Sequence, residues 1–416
     1  MRGVCLLLFL AAAWSGGCAF GPRTLERTHR RYNEAYLRVD SEELLLNIVR
    51  LRYGDPPAEV EVSGIAAQYE LTATAEARPF FEAPNPAGST FRTFSNVLPF
   101  AGAGGASRPT ISLTPVHSGE TVVRYLRPIT PAGVVFLAET GWPISTVFRL
   151  WLDGLNGLPN APSAAGPTRA FPPEYADFRR AAELLQAIQD RGELTFRKVD
   201  EEVPGDPIAA DRVTGEALIE ARKAGFEYRR TPDGAAWRLV SKASRLYLDL
   251  SPRAQGSAEY LELVGLLNLR PGLARYEVTP STLGCIERRP DAPPADKLVL
   301  STRSLIQVLF YLSHGVEVPS EHLAAGVARA TLEPDGRAFD WGRVTGGLFT
   351  VRACCGKGPP PGAAVAVPYR GYWFYIDDTD HATKSTFVLM RPSREFDIGA
   401  AAGRKGGPVL TLPLGR

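Results

Sequence analysis

The sequence predicts an α+β fold: mostly antiparallel strands and hairpins, interspersed with short amphipathic helices, in two or three subdomains. Three observations lead there. Alternating runs such as 59–76 and 108–116 recur between stretches of helical spacing. Thr231-Pro-Asp-Gly234 separates two further alternating runs, which is a hairpin signal. The chain has 416 residues, more than one ordinary core encloses. Strands and helices mixed in this way, with hairpins, belong to the α+β class.

Charge is balanced, with Lys+Arg 47 against Asp+Glu 45 and a net charge of +2. That gives no general attraction for nucleic acid, so no nucleic-acid partner is expected. Gly and Pro, at 40 and 35 residues, point to long loops.

From the N-terminus, Arg2 precedes an apolar run, Val4–Ala13, which small residues follow. The run is half the length a membrane-crossing helix needs, and the order is that of a secretory signal peptide. Ser15-Gly16-Gly17-Cys18 resembles the lipobox of bacterial lipoproteins, with Ser15 where that family usually has Leu. The resemblance implies removal of residues 1–17, a diacylglyceryl group on the Cys18 sulfur and acylation (palmitate) of the new amine. Ala19, rather than Asp, after the cysteine implies the outer membrane, facing the periplasm. Several acyl chains hold a protein stably at a membrane, so the membrane is the first expected partner. Two segments, Ser41–Tyr53 and Trp373–Phe387, are similar to parts of uncharacterised Gram-negative envelope lipoproteins, a likeness that implies no activity.

Residues 18–40 are polar and Arg-rich and read as a tether. Asp40 then opens a helix, with Glu43 placed as in a capping box and Leu44, Leu45, Ile48, Val49 and Leu51 on one face. Gly54-Asp55-Pro56-Pro57 ends it. This begins an N-terminal domain, 41–156. Its strands 59–76 and 108–116 flank a loop, 77–107, with Phe80, Phe81, Phe91, Phe94 and Phe100. A loop of that length is functional or disordered, and five phenylalanines argue against disorder. Helices are expected from Ser118, from Thr130-Pro131 and from near Pro143. Residues 157–173 have the composition of a linker. The C-terminal region, 174–416, should hold a helix from Glu174, a strand at 193–199, a helix at 213–224, the Pro-Asp-Gly hairpin and a helix at 258–267. An apolar helix at 302–313 should stop at His314-Gly315. Strands at 346–353 and 364–376, a helix near 381–391 and a strand at 409–413 complete the chain.

Candidate chemistry is sparse. Asp377, Asp378, Asp380 and His381 place three carboxylates and an imidazole within five residues. Such a group could hold a cation or move protons, but a strand ending in a turn that caps the next helix explains it more simply. In an oxidising periplasm Cys285 could pair with Cys354 or Cys355, Cys354 and Cys355 could form a strained vicinal bridge, or all three could be thiols. No two His stand at i, i+4, no Gly-x-Ser-x-Gly elbow occurs, and Gly356-Lys357 lacks the P-loop pattern. No metal site and no cofactor is expected. The first functional expectation is therefore a membrane-anchored, non-catalytic envelope lipoprotein that binds another envelope protein or an envelope polymer through loop 77–107. The second is a subunit that joins its own copies into a ring or pore through strands 59–76 and 108–116. Both strands are long enough to cross a membrane, although clean lipid-side alternation is missing. The third is an envelope hydrolase using Asp377, Asp380 and His381.

Overall fold

The fold is α+β. The computed structural model describes residues 20–58, 60–80, 96–115, 123, 125–232, 234–281 and 291–395. Cys18, Phe81, Phe91, Phe94, Cys285 and the strand expected at 409–413 lie outside them. The chain divides into two units: Ala58–Thr121, and a body formed by the residues on either side.

The body opens with α1 (Phe20–Arg52), a single 33-residue helix. It runs straight through the expected start at Asp40. No helix breaker stands between Pro22 and Gly54, and Arg30–Glu34 and Arg38–Glu42 pair one turn apart at 3.4 and 4.0 Å. The Ser41 hydroxyl bonds back to the Leu37 carbonyl at 2.6 Å, as a mid-helix serine does. What changes near residue 40 is burial. Most of 29–40 is exposed, whereas Leu44, Leu45, Ile48 and Val49 are fully enclosed.

Two short helices follow the second unit. In α2 (Pro131–Glu139) the Thr130 hydroxyl caps the Gly133 N–H at 3.2 Å, with Pro at the first helical position. In α3 (Ile144–Trp151) Ile144, Val147, Phe148 and Leu150 are buried. β3 (Leu152–Leu155) and β4 (Leu158–Pro159) come next.

Residues 157–173 do not separate two domains. Leu158, Ala161 and Ala164 are buried in the same cluster as Leu45 and Leu248. The Asn160 amide donates to the carbonyls of Arg149 and Leu152 at 2.9 and 2.7 Å, and the Thr168 side chain accepts from buried Arg52. Composition suggested a linker. The bonds of Asn160 and Thr168 instead hold the segment in the core.

Beyond it lie α4 (Ala176–Asp190), β5 (Leu194–Ala209), α5 (Gly215–Lys223), β6 (Phe226–Arg230), β7 (Ala236–Leu250) and α6 (Ala258–Leu267). β8 (Arg275–Pro280), β9 (Lys297–Thr302) and α7 (Leu305–Ser313) follow. The main sheet runs β4-β3-β9-β8-β7-β5, with β6 also on β7. Every pair in it is antiparallel except β8–β9. Leu248, Tyr276, Leu298 and Leu300 are buried in one apolar cluster with residues of α3, α4 and α6 such as Phe148, Leu185 and Leu263.

A small sheet, β10 (Arg352–Cys354), β11 (Ala363–Tyr369) and β12 (Tyr372–Asp377), runs in the order β10-β12-β11. The single strand expected at 364–376 is two, because Arg370 and Gly371 both take positive φ, 47° and 84°, and turn the chain between paired Tyr369 and Tyr372. α8 (His381–Glu395) follows β12.

The second unit contains β1 (Val60–Phe80) and β2 (Asn96–Pro115), paired antiparallel as a two-stranded sheet. The expected loop 77–107 is therefore largely strand. Phe80 stands opposite Asn96 and Glu76 opposite Phe100.

Candidate functional site

The acidic turn between β12 and α8 is built from its own backbone. Asp377 accepts from the Thr379 N–H at 2.9 Å and its hydroxyl at 2.6 Å. Those bonds hold the Asp377 carboxyl below the usual carboxylate range. Asp380 accepts from the Thr383 N–H at 3.0 Å and its hydroxyl at 2.6 Å, which makes it the cap of α8. Asp378 pairs with Lys384 at 2.6 Å. Each carboxylate thus has a local structural task, and this is the geometry of a strand-to-helix turn. Among the described residues, no group of three acidic, thiol or imidazole side chains is placed to hold a metal ion. Cys354 and Cys355 are free thiols, the second exposed.

A denser polar cluster, invisible in the sequence, gathers where α1 ends. The Tyr53 hydroxyl is 2.7 Å from His322 Nδ1. Asp55 accepts from the Tyr369 hydroxyl and from Arg370 at 2.8 Å, and Tyr372 donates to Glu321 at 2.9 Å. The rings of Tyr53 and Tyr369 meet edge to face at 5.4 Å, and those of His322 and Tyr372 at 5.0 Å. The Arg370 guanidinium lies 5.3 Å over the Tyr53 ring. Burial pushes the Tyr53 hydroxyl up to about 12, so it stays protonated at neutral pH. The Arg370 and Tyr369 bonds hold the Asp55 carboxyl down. These residues tie the end of α1 to the β11–β12 turn immediately before Pro56-Pro57, where the chain leaves the body for the second unit. The Gly-Asp-Pro-Pro signal marked this point as a helix end. Its partners lie more than 300 residues away in sequence, and no local pattern announces them.

The interior also encloses basic groups. Arg303 is fully buried and donates to the carbonyls of Arg149 at 2.9 Å, Leu150 at 3.2 Å and Asn160, with its guanidinium 4.2 Å over the Tyr311 ring. Two of those carbonyls close the C-terminus of α3, where a positive charge is favoured. His314, where the apolar helix was expected to stop, does stand at the C-terminus of α7. Burial lowers its pKa to about 3, so the ring is neutral at pH 7.

The remaining candidate is the second unit. Its ladder contains one irregularity: Val62 pairs with Leu113 and Gly64 with Ser112, so Ser63 is an extra residue in β1. Of the phenylalanines expected on the loop, Phe80 and Phe100 stand on this ladder.

The chain matches no protein-family model, and it has no significant match among curated proteins or solved structures.

Proposed function

We propose that the protein is a lipid-anchored component of the bacterial envelope that works by binding and assembly rather than catalysis. The lipid sits on Cys18, the body is a scaffold, and the β1–β2 hairpin is the working element. The observation that supports this best is the hairpin itself. A chain whose body encloses a continuous core leaves that body at Pro57, runs through a separate two-stranded unit and returns at Val122. An isolated two-stranded hairpin is at best marginal in water, so such an element is kept for what it meets. The acidic turn favours the same reading over a hydrolase, since Asp377, Asp378 and Asp380 are engaged in shaping the β12–α8 junction.

The anchor fits the start of the body. From Phe20 to Asp40 α1 rises about 30 Å, at 1.5 Å per residue, before its buried face begins. With acyl chains at Cys18, that segment would be a stalk holding the body off the bilayer. Among the described residues no helix is long and apolar enough to cross a membrane.

Replacing residues 58–121 with a short Gly/Ser connector tests the assignment. The shortened protein should keep the thermal midpoint of the wild type and fail to complement a deletion of the gene. Full complementation would refute a working role for the hairpin. Mass spectrometry of the mature N-terminus should find the diacylglyceryl and acyl groups on Cys18, and Cys18→Ser should move the protein out of the membrane fraction.

A further inference from the structure

We infer that the hairpin is a membrane-spanning β element, and that copies of this chain join their hairpins edge to edge into a closed barrel. The inference rests on the reading that the hairpin is the working element, and it names what the hairpin meets: the hydrocarbon of a bilayer on one face and other copies at its edges.

Side-chain positions along a strand alternate between two faces, and an extra residue reverses the alternation. In β1, Val60 and Val62 have one parity, whereas Ile65, Ala67, Tyr69 and Leu71 have the other. Read as an unbroken strand, β1 mixes apolar and polar positions on both faces. The bulge at Ser63 removes the conflict. Past it Ile65 pairs with Ile111, Ala67 with Pro109 and Leu71 with Gly105, and before it Val62 pairs with Leu113 and Val60 with Pro115. β2 has no irregularity of its own, so all these pairs share one face. That face continues through Ala73–Ala103, Ala75–Ala101 and Ala77–Pro99. Its one rung with hydroxyl groups is Tyr69–Ser107.

The opposite face takes every charged residue of the two strands: Glu61, Glu70, Glu76, Arg78 and Arg108. Gln68, Thr72, Thr74, Thr110 and Ser112 lie with them. Only at the far end do Phe80, Leu98 and Phe100 join the polar face. An apolar face backed by a charged and hydroxyl-rich one is the pattern of a strand with lipid outside and water inside.

Length agrees. β1 has 21 residues and β2 has 20, and a tilted strand crosses the hydrocarbon core in about 10. The unbroken part from Ile65 to Ala77 exceeds that span.

The edges then require company. The two strands form a sheet of their own, so each has an outer row of backbone groups beyond the β1–β2 ladder. In hydrocarbon such a row must be paired, and only closure into a barrel pairs all of them. The smallest membrane barrels have about 8 strands, which at two per chain means about four copies or more. Pro99 and Pro109 each withhold a donor from β2, so the ladder between copies would be interrupted at those rungs.

Cysteine scanning of the full-length lipidated protein tests this. Cys285, Cys354 and Cys355 are replaced by Ser, and single cysteines are placed at Ala67, Tyr69 and Leu71 and at Gln68, Glu70 and Thr72. Each is labelled with an environment-sensitive fluorophore and reconstituted in phosphatidylethanolamine/phosphatidylglycerol vesicles. The odd positions should show severalfold higher emission, quenched by spin-labelled lipid, and the even positions should be quenched by aqueous iodide instead. Circular dichroism confirms that each variant is folded. Wild-type protein added to dye-filled vesicles of the same composition gives a readout free of substitutions and should release the dye. Uniform exposure to water at all six positions, or no release, overturns the inference and leaves a soluble protein-binding arm. If excision of 58–121 abolishes function while the labels show no alternation, this inference fails and the proposed function stands. If excision is harmless, both fail.

Discussion

Val62 and Ile65, three residues apart in β1, lie on the same face of the hairpin, because the extra residue Ser63 shifts the register between them. Inserting one residue between Ser112 and Leu113 should give Ser63 a partner, remove the bulge and so put Val60 and Val62 on the charged face, while leaving the rungs from Ile65 onward unchanged. In a Cys18→Ser background, which removes the lipid's own contribution, this insertion should weaken liposome binding severalfold in a flotation assay. Unchanged binding would show that the bulge does not organise the apolar face.

Arg303 makes a prediction about the body. Its guanidinium satisfies three carbonyl oxygens at the end of α3 and on the segment after β4. Arg303→Met preserves much of the volume but leaves those acceptors dry. At ~1 kcal/mol or more per stranded acceptor, the loss should be about 3 kcal/mol. Urea denaturation followed by tryptophan fluorescence measures it, and a loss below about 1 kcal/mol would contradict the assigned role.

His314 makes the body sensitive to acid. Its folded pKa, about 3, lies below the unfolded value of 6.5, so between those values the unfolded chain binds the proton and the folded one does not. Its contribution is complete above about pH 6.5 and is lost as pH falls toward 3. Carboxylates add slopes of their own, so the informative quantity is the difference between wild type and His314→Gln. The wild type should lose more stability than the variant between pH 7 and pH 4. Parallel stability curves would mean that the imidazole is not held neutral.

Asp380 separates the structural from the chemical reading of the acidic turn. Asp380→Ala removes the cap of α8 and should cost about 1 kcal/mol in thermal unfolding. Complementation of a gene deletion should remain intact. Loss of function in a variant that stays folded would revive the hydrolase reading.

Much of the body was legible because local signals and tertiary packing agree. Thr130-Pro131 does start α2, Pro-Asp-Gly does join β6 to β7, and Ser257 caps α6 with a bond to the Tyr260 N–H at 3.2 Å. Where the reading departed, a local pattern had a second explanation. Asp40 and Glu43 imitate a capping box inside a continuous helix. The Gly/Pro content of 157–173 imitates a linker, but Asn160 and Thr168 bond it into the core. Ser63 hid the alternation of β1, because one inserted residue exchanges faces and only the partner strand reveals the shift. The link from Asp55 to Tyr369 and Arg370 joins distant segments and has no local signature.

The central claim, that the hairpin is where this protein assembles, is tested most directly by the mass of the detergent-solubilised protein. By light scattering at micromolar concentration, the full-length lipoprotein should form a discrete oligomer of at least about four chains, and the protein lacking 58–121 should be a monomer. A monomeric full-length protein, or an oligomer that survives removal of the hairpin, would contradict the account.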